Sequence, residues 1–238
     1  MALTFTYHPE ILAKYPNLCA GVILARGMQN GPSPDSLKDE FMAEQRAVTT
    51  RLSQTQLSDL PSIKAWRSAF RSFGVEPTQY RCAAESLMRR LNLNKGDIPS
   101  INALVDIGNI VSIRYALPTA VFDAARLTGP VTVHFADGSE NYVGLGQTVV
   151  EHPEVGEVVF TDPSKKVIAR RWCWRQSDDG AARESTTDAI ICVEAQHPGA
   201  RPEIEAALAD LLRLFQEYAG GTYVSGVLGV DQPSITMP

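Results

Sequence analysis

Residues 170–176, RRWCWRQ, form the densest run of groups able to bind or react in this sequence. On an extended strand successive side chains alternate between faces. Arg170, Trp172, Trp174 and Gln176 are then expected on one face, with Arg171, Cys173 and Arg175 on the other. Two indoles beside guanidinium and amide groups can wall an apolar or aromatic ligand, or stack a base. The alternative places both tryptophans in the core and pairs the arginines with acids such as Asp162 or Glu184. A second set is basic. Lys64, Arg67 and Arg71 recur at helical spacing, with Arg81, Arg89 and Arg90 close by in sequence. Such a stripe suits phosphate contact, although a solvated helix face is its more common use. Thr186 and Thr187 precede an apolar run and serve either a turn or a pocket rim.

Other chemistries find little support. There is no G-x-S-x-G elbow, no Ser/His/Asp set and no H-E-x-x-H pattern. His8, His134, His152 and His197 are scattered, and Cys19, Cys82, Cys173 and Cys192 form no C-x-x-C pair. Buried, reduced thiols are expected, with no metal site and no cofactor. The Gly144–Gly146 triplet is too short a signal for a phosphate loop, although its backbone, or that around Gly108, is a candidate source of N–H donors for an oxyanion. The net charge of −5 disfavours a general nucleic-acid binder, DNA included, so any RNA contact must use a local basic patch. No apolar run suits a bilayer and the first residues lack a signal-peptide pattern, which leads to the expectation of a cytoplasmic protein without membrane contact.

The elements that must position these groups read as strands, then helices, then strands, then a helix and a strand. Strands are expected at residues 3–7 and 18–25, and a polar outer helix at 35–52. Ile63, Trp66, Phe70 and Phe73 mark an amphipathic helix over 61–73, stopped by Gly74. Further helices are expected from Pro77 to about Leu91, and from an N-cap at Ser100 to about Tyr115. Residues 131–136 and 141–145 read as a hairpin around Asp137-Gly138, followed by strands at 155–161, 166–174 and 189–194. A helix at 203–218 and a strand at 223–230 complete the pattern. This order predicts an α+β fold. With no convincing linker, one unit over 1–238 is expected, its first 60 residues strands and an outer helix, with the core module at 61–238.

Four segments carry a family resemblance: FRSFGVEPTQYRCAAESLMRR, IPSINALVDIGNIVSIRYALPTAVFDAARLTG, GEVVFTDPSKKVIARRWCWRQS and ESTTDAIICVEA. From about Phe70 to Gln196 the chain resembles the B3/B4 module of the bacterial phenylalanyl-tRNA synthetase beta subunit. The RRWCWR run resembles free-standing members of that family. The resemblance implies a beta-sheet or sandwich core of unusual topology flanked by helices. It also implies a tRNA partner carrying an aminoacyl ester at its 3′ end. No likeness to the synthetase's aminoacylation core is present, so neither tRNA charging nor ATP use is expected.

By the same resemblance, Asn109 matches a pocket asparagine, and Gly108 stands where the synthetase usually has threonine. Pro118 and Phe122-Asp123 match a turn motif whose editing histidine falls on Ala120. The editing glutamate falls at about Arg175. Joined to the strand reading of residues 170–176 and to Thr186 and Thr187, the candidate pocket set is Gly108, Asn109, Pro118, Ala120, Arg170, Trp172, Trp174, Arg175, Gln176, Thr186 and Thr187. From the basic stripe, Lys64, Arg67, Arg71 and Arg81 are the candidate contacts to tRNA. Three functions remain open at this point: hydrolysis of mischarged aminoacyl-tRNA in trans, binding of a tRNA end or amino acid without chemistry, and small-molecule sensing. A basic pocket rim would favour tRNA.

Overall fold

The computed structural model describes residues 2–93 and 96–238. The chain opens with β1 (Leu3–Tyr7), a short α1 (Pro9–Lys14) and the buried strand β2 (Cys19–Arg26). Four helices follow: α2 (Asp35–Leu52), α3 (Pro61–Ser72), α4 (Ala83–Asn92) and α5 (Ala103–Tyr115). Then come β3 (Thr119–Asp123), β4 (Val131–Phe135), β5 (Tyr142–Val143), β6 (Val150–Glu151), β7 (Val158–Thr161), β8 (Val167–Arg170), β9 (Arg175–Gln176) and β10 (Ala189–Ala195). The long helix α6 (Arg201–Tyr218) leads to β11 (Thr222–Leu228) and β12 (Ser234–Met237).

Two sheets carry the α+β fold. One has the order β12-β1-β4-β7-β8-β9 and the other β11-β2-β10-β3. Phe122 of β3 meets Phe160 of β7 with ring centroids 5.7 Å apart, and Phe160 meets Phe5 of β1 at 5.9 Å. Apolar side chains from both sheets and from all six helices share one buried cluster. Burial of that surface is the main favourable term in the fold. Helices α5 and α6 lie against the second sheet, and two glycines allow the close approach. A Cβ on Gly108 would sit 3.1 Å from Val121, and one on Gly21 would sit 3.0 Å from Val193 and 3.2 Å from Leu208. Arg114 then ties α2, α5 and α6 together through Glu40, Glu44 and Asp210.

Four elements differ from expectation. The helix after Pro77 begins at Ala83, because residues 76–80 form turns held by the Glu76 carboxylate. Asn102, not Ser100, caps α5 by accepting from the Val105 N–H at 3.1 Å, while the Ser100 hydroxyl donates to Asp106. Residues 131–136 and 141–145 do not pair as a hairpin. The Glu140 carboxylate accepts the Asp137 and Gly138 N–H groups and turns the chain away, so β4 pairs with β1 and β7 instead. The strand expected at 166–174 ends at Arg170, since Arg171 and Trp172 have φ of 45° and 58°. That left-handed pair is unusual for bulky residues, and it ends the face alternation read from the sequence. Helix α1 and strands β3, β6 and β12 were not among the expected elements.

Candidate functional site

A cavity of about 280 Å³ lies between α4 and α5 on one side and β3, β10 and residues 172–176 on the other. Helix α5 presents Val105, Gly108 and Asn109 to it, and α4 presents Ala83, Ser86 and Leu87. The turn after α5 closes with Ala116 at φ 55° and Ser112 bonding Leu117, which delivers Pro118, Thr119 and Ala120 to the opposite wall.

Glu194 is the most deeply buried charged group of this wall, 1% exposed on a strand whose other six residues are apolar. Its Oε1 accepts two hydrogen bonds, from the Tyr7 hydroxyl at 2.6 Å and from Trp172 Nε1 at 2.8 Å. Among the described residues none donates to Oε2. Burial pushes the carboxyl up to about 7, against the lowering effect of the Tyr7 and Trp172 bonds. The cavity therefore offers a ligand a carboxylate oxygen whose charge changes near neutral pH.

The turn between β8 and β9 sets the tryptophans. Glu157, itself buried, grips both sides of its entrance: Arg170 donates to it through Nε at 2.9 Å and Nη2 at 3.0 Å, and the Arg171 N–H bonds it at 2.9 Å. Arg170 Nη1 reaches Glu151 at 2.8 Å. Trp172 then turns inward to full burial, with edge contacts to Tyr15 at 4.9 Å and Trp66 at 5.2 Å. Trp174 is half-buried and packs its ring edge-on against Tyr80 at 4.9 Å. Arg175 is exposed at the rim, and Gln176 Nε2 bonds the Val121 carbonyl at 3.3 Å.

Of the pocket residues expected from sequence, the structure brings eight to this cavity: Gly108, Asn109, Pro118, Ala120, Trp172, Trp174, Arg175 and Gln176. Three lie elsewhere. Arg170 is consumed by its ion pairs with Glu157 and Glu151 rather than with Asp162 or Glu184. Thr186 closes a turn, accepting from the Arg183 N–H and donating to Asp123. Thr187 is exposed and its carbonyl accepts from the Met28 N–H. Glu194 brings a carboxylate to the cavity from β10, a different strand from the one that carries Arg175. A glutamate inside the apolar run AIICVEA was the available signal. Gly108 is in mid-helix, where its N–H belongs to the helical ladder, and the Gly146 N–H bonds Asp178, so neither supplies an oxyanion donor here.

The basic stripe divides in two. Arg67 forms a fork on the buried Glu85 with bonds of 3.0 and 2.6 Å, and Arg81 lies 3.5 Å from the same carboxylate. Both are spoken for by the fold. Lys64 and Arg71 are exposed, with no carboxylate in ion-pair reach among the described residues. The thiols of Cys173 and Cys192 are pushed up by burial, which makes them poor nucleophiles. Among the described residues no group of three or more His, Cys, Asp or Glu is placed to hold a metal ion, and no helix is long and apolar enough to cross a membrane.

The B3/4 domain family model matches residues 65–220, and the chain belongs to that family. The match extends to residues 65–69 of α3 and to all of α6, beyond the segments that first suggested it. The phenylalanine–tRNA ligase beta subunit of Shewanella oneidensis is 32% identical over 87 residues, 37% of this chain and 11% of that protein. That of Neisseria gonorrhoeae is 36% identical over 76 residues, 32% of this chain and 10% of that protein. The matched regions thus span about a tenth of these relatives. An N-terminal fragment of the phenylalanyl-tRNA synthetase beta subunit from Pyrococcus horikoshii superimposes with a TM-score of 0.51 at 10% identity. That alignment covers 99% of this chain and 54% of the fragment, and shows the common fold.

Proposed function

We propose that this B3/4 domain protein takes the aminoacyl end of a tRNA into the cavity and hydrolyses the ester in trans. The observation that carries the reading is an apolar cavity of amino-acid size, about 280 Å³, with one oxygen of the buried Glu194 lacking a donor among the described residues. A side chain that enters this space leaves its ester at the rim, beside Asn109, Thr119 and Gln176. There, attack by water on the carbonyl carbon breaks the bond to the ribose oxygen, freeing the amino acid and the tRNA end. Positioning supplies the rate in such a site, without a protein nucleophile. Glu194 selects side chains that bring a hydrogen-bond donor, since a buried acceptor left unpaired disfavours those without one. The exposed Arg175 makes the rim basic, which favours a tRNA end over a free metabolite.

One observation favours a second reading, binding without hydrolysis: Ala120 occupies the position expected for a histidine, and no histidine lines the cavity. Deacylation of a panel of aminoacyl-tRNAs by the purified protein separates the two. The hydrolase reading expects turnover of a few esters, reduced in Asn109→Ala and Glu194→Gln. Absence of turnover across the panel, with retained binding of the same esters, gives the second reading.

A further inference from the structure

Beside the cavity, where Trp174 and Arg175 line it, four planar groups form a cation–aromatic cluster at the edge of the core. The Arg171 guanidinium lies 4.0 Å from the Tyr80 ring centroid and 4.6 Å from that of Trp174. The Arg175 guanidinium lies 4.7 Å from the Trp174 centroid. Tyr80 and Trp174 meet edge to face at 86°. The two arginines differ in their partners. Arg171 is 14% exposed and lies 3.8 Å from the Glu157 carboxylate. Arg175 is exposed, and among the described residues no carboxylate is within ion-pair reach of it. Among the described residues no ion pair takes up its charge, and its guanidinium carbon lies over the Trp174 ring.

We infer that the Trp174–Arg175 stack is a landing plane for the terminal nucleobase of the RNA whose aminoacyl group enters the cavity. This rests on the function proposed above and names the contact that the nucleotide makes. Trp174 and Arg175 both line the cavity, and Arg175 is exposed to solvent there, so a ligand that leaves its ester on that side sets its terminal ribose and base beside them. A guanidinium plane backed by an indole stacks on any base and attracts the adjoining phosphate. A lysine at this position would keep the charge and lose the plane.

The probe is an RNA hairpin with a single-stranded 3′ ACCA end, compared with the same hairpin lacking the base of its last residue. Binding is read by fluorescence anisotropy at one salt concentration. The wild-type protein is expected to prefer the intact hairpin by about tenfold, the scale of one stacked base. In Arg175→Lys the two hairpins are expected to bind alike, at an unchanged melting temperature. Equal binding of the two hairpins by the wild type, or a preference that survives in Arg175→Lys, overturns the inference. If turnover that depends on Glu194 persists while the wild type treats both hairpins alike, only the stacking contact falls. A base preference without turnover keeps the contact and removes the hydrolase reading.

Discussion

The two walls of the cavity are built on different terms. The helical wall, from α4 and α5, is made mostly of small or apolar groups set by local periodicity, such as Ala83, Leu87, Val105 and Gly108. The opposite wall carries the charge and the aromatic surface: Glu194, Trp172, Trp174 and Arg175. Its members are fixed by partners distant in sequence, Tyr7 for Glu194 and Val158 for the Trp172 backbone. The helical wall sets the size of the space, and the strand wall sets what fits it chemically. Substitutions on the strand wall should therefore change stability and chemistry by different amounts at neighbouring positions.

Trp172→Ala should have the largest effect. It removes a fully buried indole touching Tyr15, Trp66 and Phe73, together with a donor to Glu194. A loss of about 3–5 kcal/mol is expected in urea unfolding. A loss below about 1 kcal/mol would mean that this wall is not part of the core.

Glu194→Gln should come next, with at least a tenfold loss of turnover or binding for the preferred ester. The amide oxygen can still accept from Tyr7 and Trp172, so folding should survive. Its pH behaviour sharpens the point. The carboxyl is held at about 7 when folded against an ordinary 4.5, so between these values the folded state binds the extra proton. Stability conferred by that proton is complete below about 4.5 and is lost as pH rises through about 7. The uncharged glutamine should remove this slope. Urea midpoints for both proteins at pH 5 and pH 8 test it, and parallel pH dependences would contradict it.

Trp174→Ala should cost about 1 kcal/mol or less in stability, since the ring is half-buried. Binding at the rim should nevertheless weaken several-fold by anisotropy. The smallest effects should be those of Lys64→Ala and Arg71→Ala. Each is exposed and makes no ion pair among the described residues, so stability should stay within about 0.5 kcal/mol. If these side chains meet RNA phosphate, each loss should reduce the salt dependence of binding by about one charge. An unchanged salt slope would leave them a solvated face.

Much of the fold was legible where one period dominates. The stripe of Ile63, Trp66 and Phe70 gave α3, and Ile204, Leu208, Leu211 and Phe215 gave α6. The apolar run of β2 was equally plain. Strand pairing was not, because Glu140 reaches back to the Asp137 and Gly138 N–H groups and diverts a turn that reads as a hairpin. In the site, the asparagine, glycine and tryptophans stood out by motif and type. Their faces did not, since the alternation rule fails once Arg171 and Trp172 adopt positive φ. Glu194 was missed because its partners lie 187 and 22 residues away, and only pairing of β10 between β2 and β3 buries it. Arg170 was misplaced for the converse reason: its partner Glu157 enters from the preceding strand connection.

The most direct test of the central claim compares deacylation of tRNA esters that differ by one side-chain hydroxyl, such as tyrosyl with phenylalanyl and seryl with alanyl. If Glu194 reads a donor in the cavity, the wild type should favour the hydroxylated member of at least one pair by tenfold or more, and Glu194→Gln should erase the preference. A preference unchanged in Glu194→Gln, or equal rates within every pair, would contradict it.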